Sequence, residues 1–152
     1  MTYLSHVEVD DEGRPAPSPE LEQERRVAVF DLQEGSVFRL PDAPGPYRLR
    51  LGVRQGRATF RWQGAGGSSG EFALALAGLE QAAKDYRTLC DSYAEAVKSL
   101  PPARIGEIDA ARREIHGEAA RQLQARLADR AEMDETTARR LFTLICALAG
   151  PG

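Results

Sequence analysis

The sequence predicts an α+β fold: an N-terminal strand and helix, an antiparallel β-meander, and a C-terminal layer of three helices. Three alternating apolar/polar runs between Tyr47 and Ala77 carry the two-residue period of half-buried strands. From Leu79 onward apolar residues recur at helical spacing, interrupted by Pro101-Pro102. Strands gathered early and helices late favour α+β over a parallel α/β arrangement. The 152 residues fit one domain, sheet-rich over 1–77 and helical over 78–149.

Leu4 to Asp10 alternates, with Val7 and Val9 on one side and His6, Glu8 and Asp10 on the other, so it reads as a short strand. Asp11 to Pro17 breaks regular structure with Gly13, Pro15 and Pro17. Ser18-Pro19-Glu20 starts a helix. The hydroxyl caps it, the proline loses no hydrogen bond at the first position, and the acid sits at the positive end of the dipole. This helix runs to about Glu34 and stops at Gly35, although Val27–Phe30 is β-rich enough to read as a strand. Val37–Leu40 reads as a short strand and Asp42–Pro46 as a turn. Tyr47–Arg54 and Arg57–Gln63 form a hairpin through Gln55-Gly56. Gly64–Gly70 is a flexible loop, and Glu71–Ala77 is a third run with Phe72, Leu74 and Leu76 inward.

A helix over Leu79–Leu100 turns Tyr86, Leu89, Cys90, Tyr93, Val97 and Leu100 inward. A second, from Ala103 to Arg130, carries Ile105, Ile108, Ile115, Ala119, Leu123 and Leu127. Asp134 caps a third, with Ala138, Leu141, Leu144, Ile145 and Leu148 inward, closing at Gly150-Pro151.

The net charge of -3 argues against a general polyanion binder but leaves room for a local basic face. Lys84 and Lys98 are the only lysines among twenty basic residues. That excess of arginine fits GC-rich coding, and it also fits selection for planar, bidentate donors to carboxylate or phosphate. Cys90 and Cys146 fall inside apolar helical patterns, as small buried hydrophobes suited to a reducing cytoplasm. Met1 to Asp10 lacks the basic start and apolar run of a secretory signal. The longest strongly apolar stretch, Leu141–Ala149, falls short of the ~20 residues that cross a bilayer. Two histidines and two separated cysteines give no spaced metal motif, and no cofactor is expected. The glycine loop lacks a phosphate-loop lysine and leads into a strand, and no nucleophile elbow is present.

The hairpin holds the most distinctive candidate site. Tyr47, Leu49, Leu51, Val53, Ala58, Phe60 and Trp62 share one face, and Arg48, Arg50, Arg54, Arg57 and Arg61 share the other. No Asp or Glu occurs between Asp42 and Glu71. Guanidinium forks on a rigid sheet suit an anionic partner, either an acidic protein or nucleic acid. Readers of single-stranded RNA place aromatics on the binding face, whereas here they lie opposite. The competing reading is a solvated face with cross-strand ion pairs, partly supplied by Glu8 and Asp10. A second candidate is a pocket of Tyr86, Arg112, His116 and Glu118, able to hold a carboxylate or phosphate or to run acid–base chemistry. Against it stands a helix edge where the arginine reaches water and the histidine meets a local partner. Arg25-Arg26 and Arg139-Arg140 suit helix-surface pairs with Glu22 and Glu135, or a structural network with Asp31 or Asp85. Tyr86, Cys90 and Tyr93 at helical spacing read as core.

Three stretches resemble a small family of uncharacterised alphaproteobacterial proteins. They are Glu22 to Leu32; Lys84-Asp85-Tyr86 with Cys90, Ser92-Tyr93, Ala96-Val97-Lys98 and Leu100-Pro101-Pro102; and Thr137 to Cys146. Arg112 to Glu118 is similar to a further family stretch, in which Asn, Glu and Gly follow the histidine where this chain has Gly117, Glu118 and Ala119. The resemblance implies a bacterial relative without an assigned activity, ligand or partner, so it transfers no functional residue. The reading from the residues is therefore a non-enzymatic accessory or interaction protein using its arginine face. The alternative is a small enzyme or ligand-binding domain around Arg112 and His116, and a homodimer through the C-terminal helices is compatible with either.

Overall fold

The computed structural model describes residues 2–13, 16 and 18–149. Its elements are β1 (Leu4–Asp10), α1 (Pro19–Glu34), β2 (Phe38–Arg39), β3 (Tyr47–Arg54), β4 (Arg57–Gln63), β5 (Ser69–Ala75), α2 (Glu80–Ser99), α3 (Pro102–Arg126), β6 (Glu132–Met133) and α4 (Glu135–Ala149). The fold is α+β, as the sequence predicts. Four strands form one sheet in the order β1-β3-β4-β5, and β2 pairs with β6 in a separate two-stranded ribbon.

The hairpin turn follows from its two central residues. Gln55 and Gly56 both have positive φ, 53° and 72°, the conformation that matches the right-handed twist of the flanking strands. β4 and β5 continue the meander, but β1 joins β3 in parallel. Parallel neighbours need a crossover, and α1 with β2 supplies it. β5 begins at Ser69, inside the stretch expected to be a loop, because Ser69 and Gly70 pair with Gln63 and Trp62. A single short turn, Ala65–Gly67, is left to connect the strands.

α1 starts and stops where the sequence marks it. Ser18 Oγ accepts the Leu21 amide at 3.2 Å, and Gly35 donates to the Asp31 carbonyl at 2.9 Å. The β-rich Val27–Phe30 stays helical, with Ala28 buried and Val27 and Phe30 in solvent. Gln33 in the last turn of α1 and Ser36 just past its end cover the open edge of β1: Ser36 Oγ accepts from the Leu4 amide and Gln33 Oε1 from the Val7 amide. An edge so covered cannot recruit another strand.

The core lies between the sheet and the helices. Leu4, Val7, Tyr47, Leu49, Leu51, Ala58, Phe60 and Phe72 face inward, and α1 and α4 pack on that side. Tyr47 is fully buried with its hydroxyl satisfied at both ends: it donates to the Ala43 carbonyl at 2.6 Å and accepts from the Leu40 amide at 3.1 Å. α4 is the central helix. Asp134 Oδ1 caps it at the Thr137 amide, and every residue from Leu141 to Leu148 is buried. Its apolar run is greasy all round because α1, α2, α3 and the sheet surround it. No helix among the described residues is long and apolar enough to cross a membrane.

Two expectations need correction. Periodicity puts Val97 and Leu100 on the inner stripe of α2, yet they are 52% and 41% exposed. Beyond Ala96 on α2, and before Gly117 on α3, no residue is buried. The end where these helices join therefore stands clear of the core, and periodicity alone cannot reveal where a supporting layer stops. α3 also ends at Arg126 rather than Arg130, since the chain must turn to bring β6 to β2. The breaks expected at Pro15 and Pro17 and the stop at Gly150-Pro151 lie outside the described residues.

Candidate functional site

Strand alternation places Arg48, Arg50, Arg54, Arg57 and Arg61 on the exposed face of the sheet, opposite the buried Leu49, Leu51 and Phe60. Trp62 is half-buried, edge-on to Tyr47 at 6.4 Å and in register with Gly70. Gly70 makes room for it, since a Cβ there would lie 2.7 Å from the indole.

Register decides how the cations are compensated. The row across the four strands at Arg50 reads Glu8, Arg50, Arg61, Glu71. Arg50 reaches Glu8 at 3.4 Å and Asp10 at 3.6 Å, and Arg61 reaches Glu71 at 3.0 Å. The middle of the face is therefore neutralised, as the ion-pair reading expected. Arg54 meets Glu12 at 3.9 Å. Arg48 and Arg57 have no carboxylate within ion-pair distance among the described residues. Arg48 lies between His6 and Gln63 at one end, and Arg57 lies opposite Arg54 at the other. Six residues of strand separate the two ends, or ~20 Å. A trough of about 560 Å³ opens at the Arg48 end, where Arg48, Arg50 and Arg61 line it together with Glu8, Glu71 and Trp62.

The second candidate converges in part. Tyr86 from α2 and Arg112 and His116 from α3 meet, but Glu118 does not join them. It is exposed, because two residues past His116 is 200° round the helix. The acid present is Glu24 of α1, whose Oε2 accepts from the Tyr86 hydroxyl at 2.6 Å. Arg112 lies 3.8 Å from Glu24 Oε1, pairs also with Asp109, and stacks over the Tyr93 ring at 4.3 Å. His116 packs against Tyr86, ring centres 4.8 Å apart, and against Phe142 at 5.6 Å. Its Nε2 meets Thr143 Oγ1 at 2.7 Å, and that hydroxyl donates to the Arg139 carbonyl. Nε2 therefore carries the histidine N–H. Gly117 leaves space for the Arg139 guanidinium, which would lie 2.6 Å from a Cβ. Nothing in the sequence ties Glu24 to Tyr86, 62 positions away.

The electrostatics of this cluster oppose acid–base work. Burial, with Arg139 and Arg112 nearby, pulls the His116 pKa down to about 4. Burial beside Glu24 pushes the Cys90 thiol up to about 11 and raises the Tyr86 phenol as well. None is poised near neutral pH, where general acids and bases work best. Among the described residues no buried side-chain polar atom lacks a partner. The network thus answers its own hydrogen bonds while tying four helices together.

The basic pairs have structural partners. Arg26 reaches Glu22 at 3.3 Å and Arg139 reaches Glu135 at 3.4 Å, while Arg140 approaches Asp31 at 3.9 Å and donates to the Gly35 carbonyl at 3.0 Å. Asp85 instead accepts from Gln81. A further cavity of about 610 Å³ between the hairpin turn, α2 and α4 mixes Glu12 and Glu80 with Arg54, Lys84 and Arg87 over an apolar floor. Its rim selects no one charge. No group of three or more His, Cys, Asp or Glu among the described residues is placed to hold a metal ion.

An open sheet with cations at both ends, backed by helices locked through a satisfied polar network, defines a two-layer α+β protein with a candidate anion-binding face. The chain belongs to the uncharacterised protein family UPF0262, which it matches over residues 1–150. It is 54% identical over 152 residues to a UPF0262 protein of Jannaschia sp. (strain CCS1), covering 97% of both chains. It is also 54% identical over 156 residues to one from Paracoccus denitrificans (98% of this chain, 96% of the relative), and 52% over 155 residues to one from Ruegeria sp. strain TM1040 (97% and 98%). No solved structure matches significantly.

Proposed function

We propose that the protein is a non-enzymatic interaction module that binds an acidic protein segment across the open face of its sheet. The observation that supports this reading is the pair of cations, Arg48 and Arg57, that have no carboxylate partner among the described residues and stand at opposite ends of a face that no described helix covers. Between them the outward residues are small or already neutral: Gly52, Thr59 and Ala73 leave an extended chain free to lie close to the strands. Carboxylates spaced along such a chain would meet one cation at each end. The exposed pairs of Arg50 and Arg61 are worth only ~0–1 kcal/mol each, so an incoming acid can exchange with Glu8 or Glu71. Nucleic acid is the poorer fit, because the centre of the outer face, Gly52, Thr59 and Ala73, offers no ring for bases to stack on, and His6 and Trp62 lie at the Arg48 end alone.

The test is fluorescence anisotropy with a labelled Glu/Asp-rich peptide and a labelled single-stranded oligonucleotide. The peptide should bind, with affinity falling as salt rises. The double variant Arg48→Glu/Arg57→Glu should lose it, whereas Arg104→Glu/Arg113→Glu, of equal net charge on exposed α3 positions, should keep it. Tighter binding of the oligonucleotide, or equal loss in both variants, contradicts the reading.

A further inference from the structure

We propose that the solvent face of α1 pairs with α1 of a second copy of this chain, antiparallel about a twofold axis near Phe30. Phe30 is 60% exposed and Val27 46%, although Leu21 and Leu32 on the same helix are fully buried. Gln23, Arg26, Val27, Phe30 and Glu34 are all exposed at spacings of three and four, and so form one ridge. Val37, 43% exposed, follows just past the helix end. An apolar centre rimmed by charge is how an association surface is usually built.

Charge identifies the occupant. Arg26 and Glu34 stand four residues to either side of Phe30. An antiparallel partner of the same sequence sets Arg26 against Glu34 of the second copy, and Glu34 against its Arg26. Parallel pairing would instead oppose arginine to arginine. A twofold contact is self-complementary in this sense, with each surface supplying what the other needs. Arg26 can reach across, since its side chain is 71% exposed and its pair with Glu22 at 3.3 Å is a surface contact that exchanges at little cost, and Glu34 has no ion-pair partner among the described residues. The ridge points away from the sheet, so a dimer keeps both arginine faces open and presents two binding faces to an acidic partner.

A 16-residue helix spans ~24 Å, and one such pair buries less than the ~1,200–2,000 Å² of a stable complex. The dimer is therefore reversible. Sedimentation velocity over a wide concentration series should show the mass rising from 16.6 kDa towards twice that value. Arg26→Glu and Glu34→Arg should each weaken association at least about tenfold through like-charge contacts, and their combination should restore it. Phe30→Ser should leave a monomer whose circular dichroism and acidic-peptide binding match the parent. A chain monomeric at every concentration overturns the proposal. So does a charge swap that fails to restore association, or a dimer indifferent to Phe30→Ser.

Discussion

Replacing His116 by glutamine should flatten the acid side of the stability profile. In the folded protein burial, reinforced by Arg139 and Arg112, holds the His116 pKa at about 4, whereas an unfolded chain titrates near ~6.5. Tyr86 from α2, Arg112 on α3, and Arg139, Phe142 and Thr143 from α4 make that environment. Between those two pH values the unfolded state binds a proton that the native state refuses, so stability falls as pH falls through the window. The difference of some two and a half pKa units sets an upper figure of about 3 kcal/mol. Glutamine retains an N–H donor for Thr143 and cannot titrate. Urea unfolding at steps from pH 7 to pH 4 gives the difference between parent and variant. It should close by up to that amount as pH falls, because carboxylate contributions common to both cancel. Parallel profiles would refute the claim that His116 is held neutral.

Other positions give sharper single readings. Tyr86→Phe leaves the Glu24 carboxylate short of its 2.6 Å donor and should cost about 1–3 kcal/mol in urea unfolding. Ser18→Ala removes the cap on the Leu21 amide and should cost about 1 kcal/mol, with the m-value unchanged. Gly56→Ala must hold a side chain at φ 72° in the hairpin turn, a penalty of about 1–2 kcal/mol visible as a lower Tm.

Much of this architecture is readable in the chain because local chemistry decides it. Ser18-Pro19 and Gly35 bound α1, and Gln55-Gly56 with strict alternation fixes β3 and β4 to the residue. The five arginines of the outer face follow from the same alternation. What escapes is whatever depends on distant partners. Whether β1 pairs with β3 is a crossover choice, yet that pairing brings Glu8 and Asp10 to Arg50 and so separates neutralised cations from free ones. β2 and β6 are two residues each and exist only because they meet. Val97 and Leu100 keep helical periodicity beyond the point where the core ends. In the buried cluster, the sequence offers Tyr86, Arg112 and His116 as candidates on two successive helices, and packing brings them together. Glu24 and Thr143 are not among those candidates, since they come from α1 and α4, and Glu118, expected beside His116, lies 200° round the helix from it in solvent.

The arginine face can be followed atom by atom. A two-dimensional NMR titration with the acidic peptide, observing backbone amides and arginine Nε–H groups, reports each strand and each guanidinium separately. Arg48 and Arg57 Nε–H signals should shift first and furthest, together with β3 and β4 amides, while those of α1 and α3 stay still. Shifts confined to the helices, or a face that remains silent at saturating peptide, would contradict binding across the sheet.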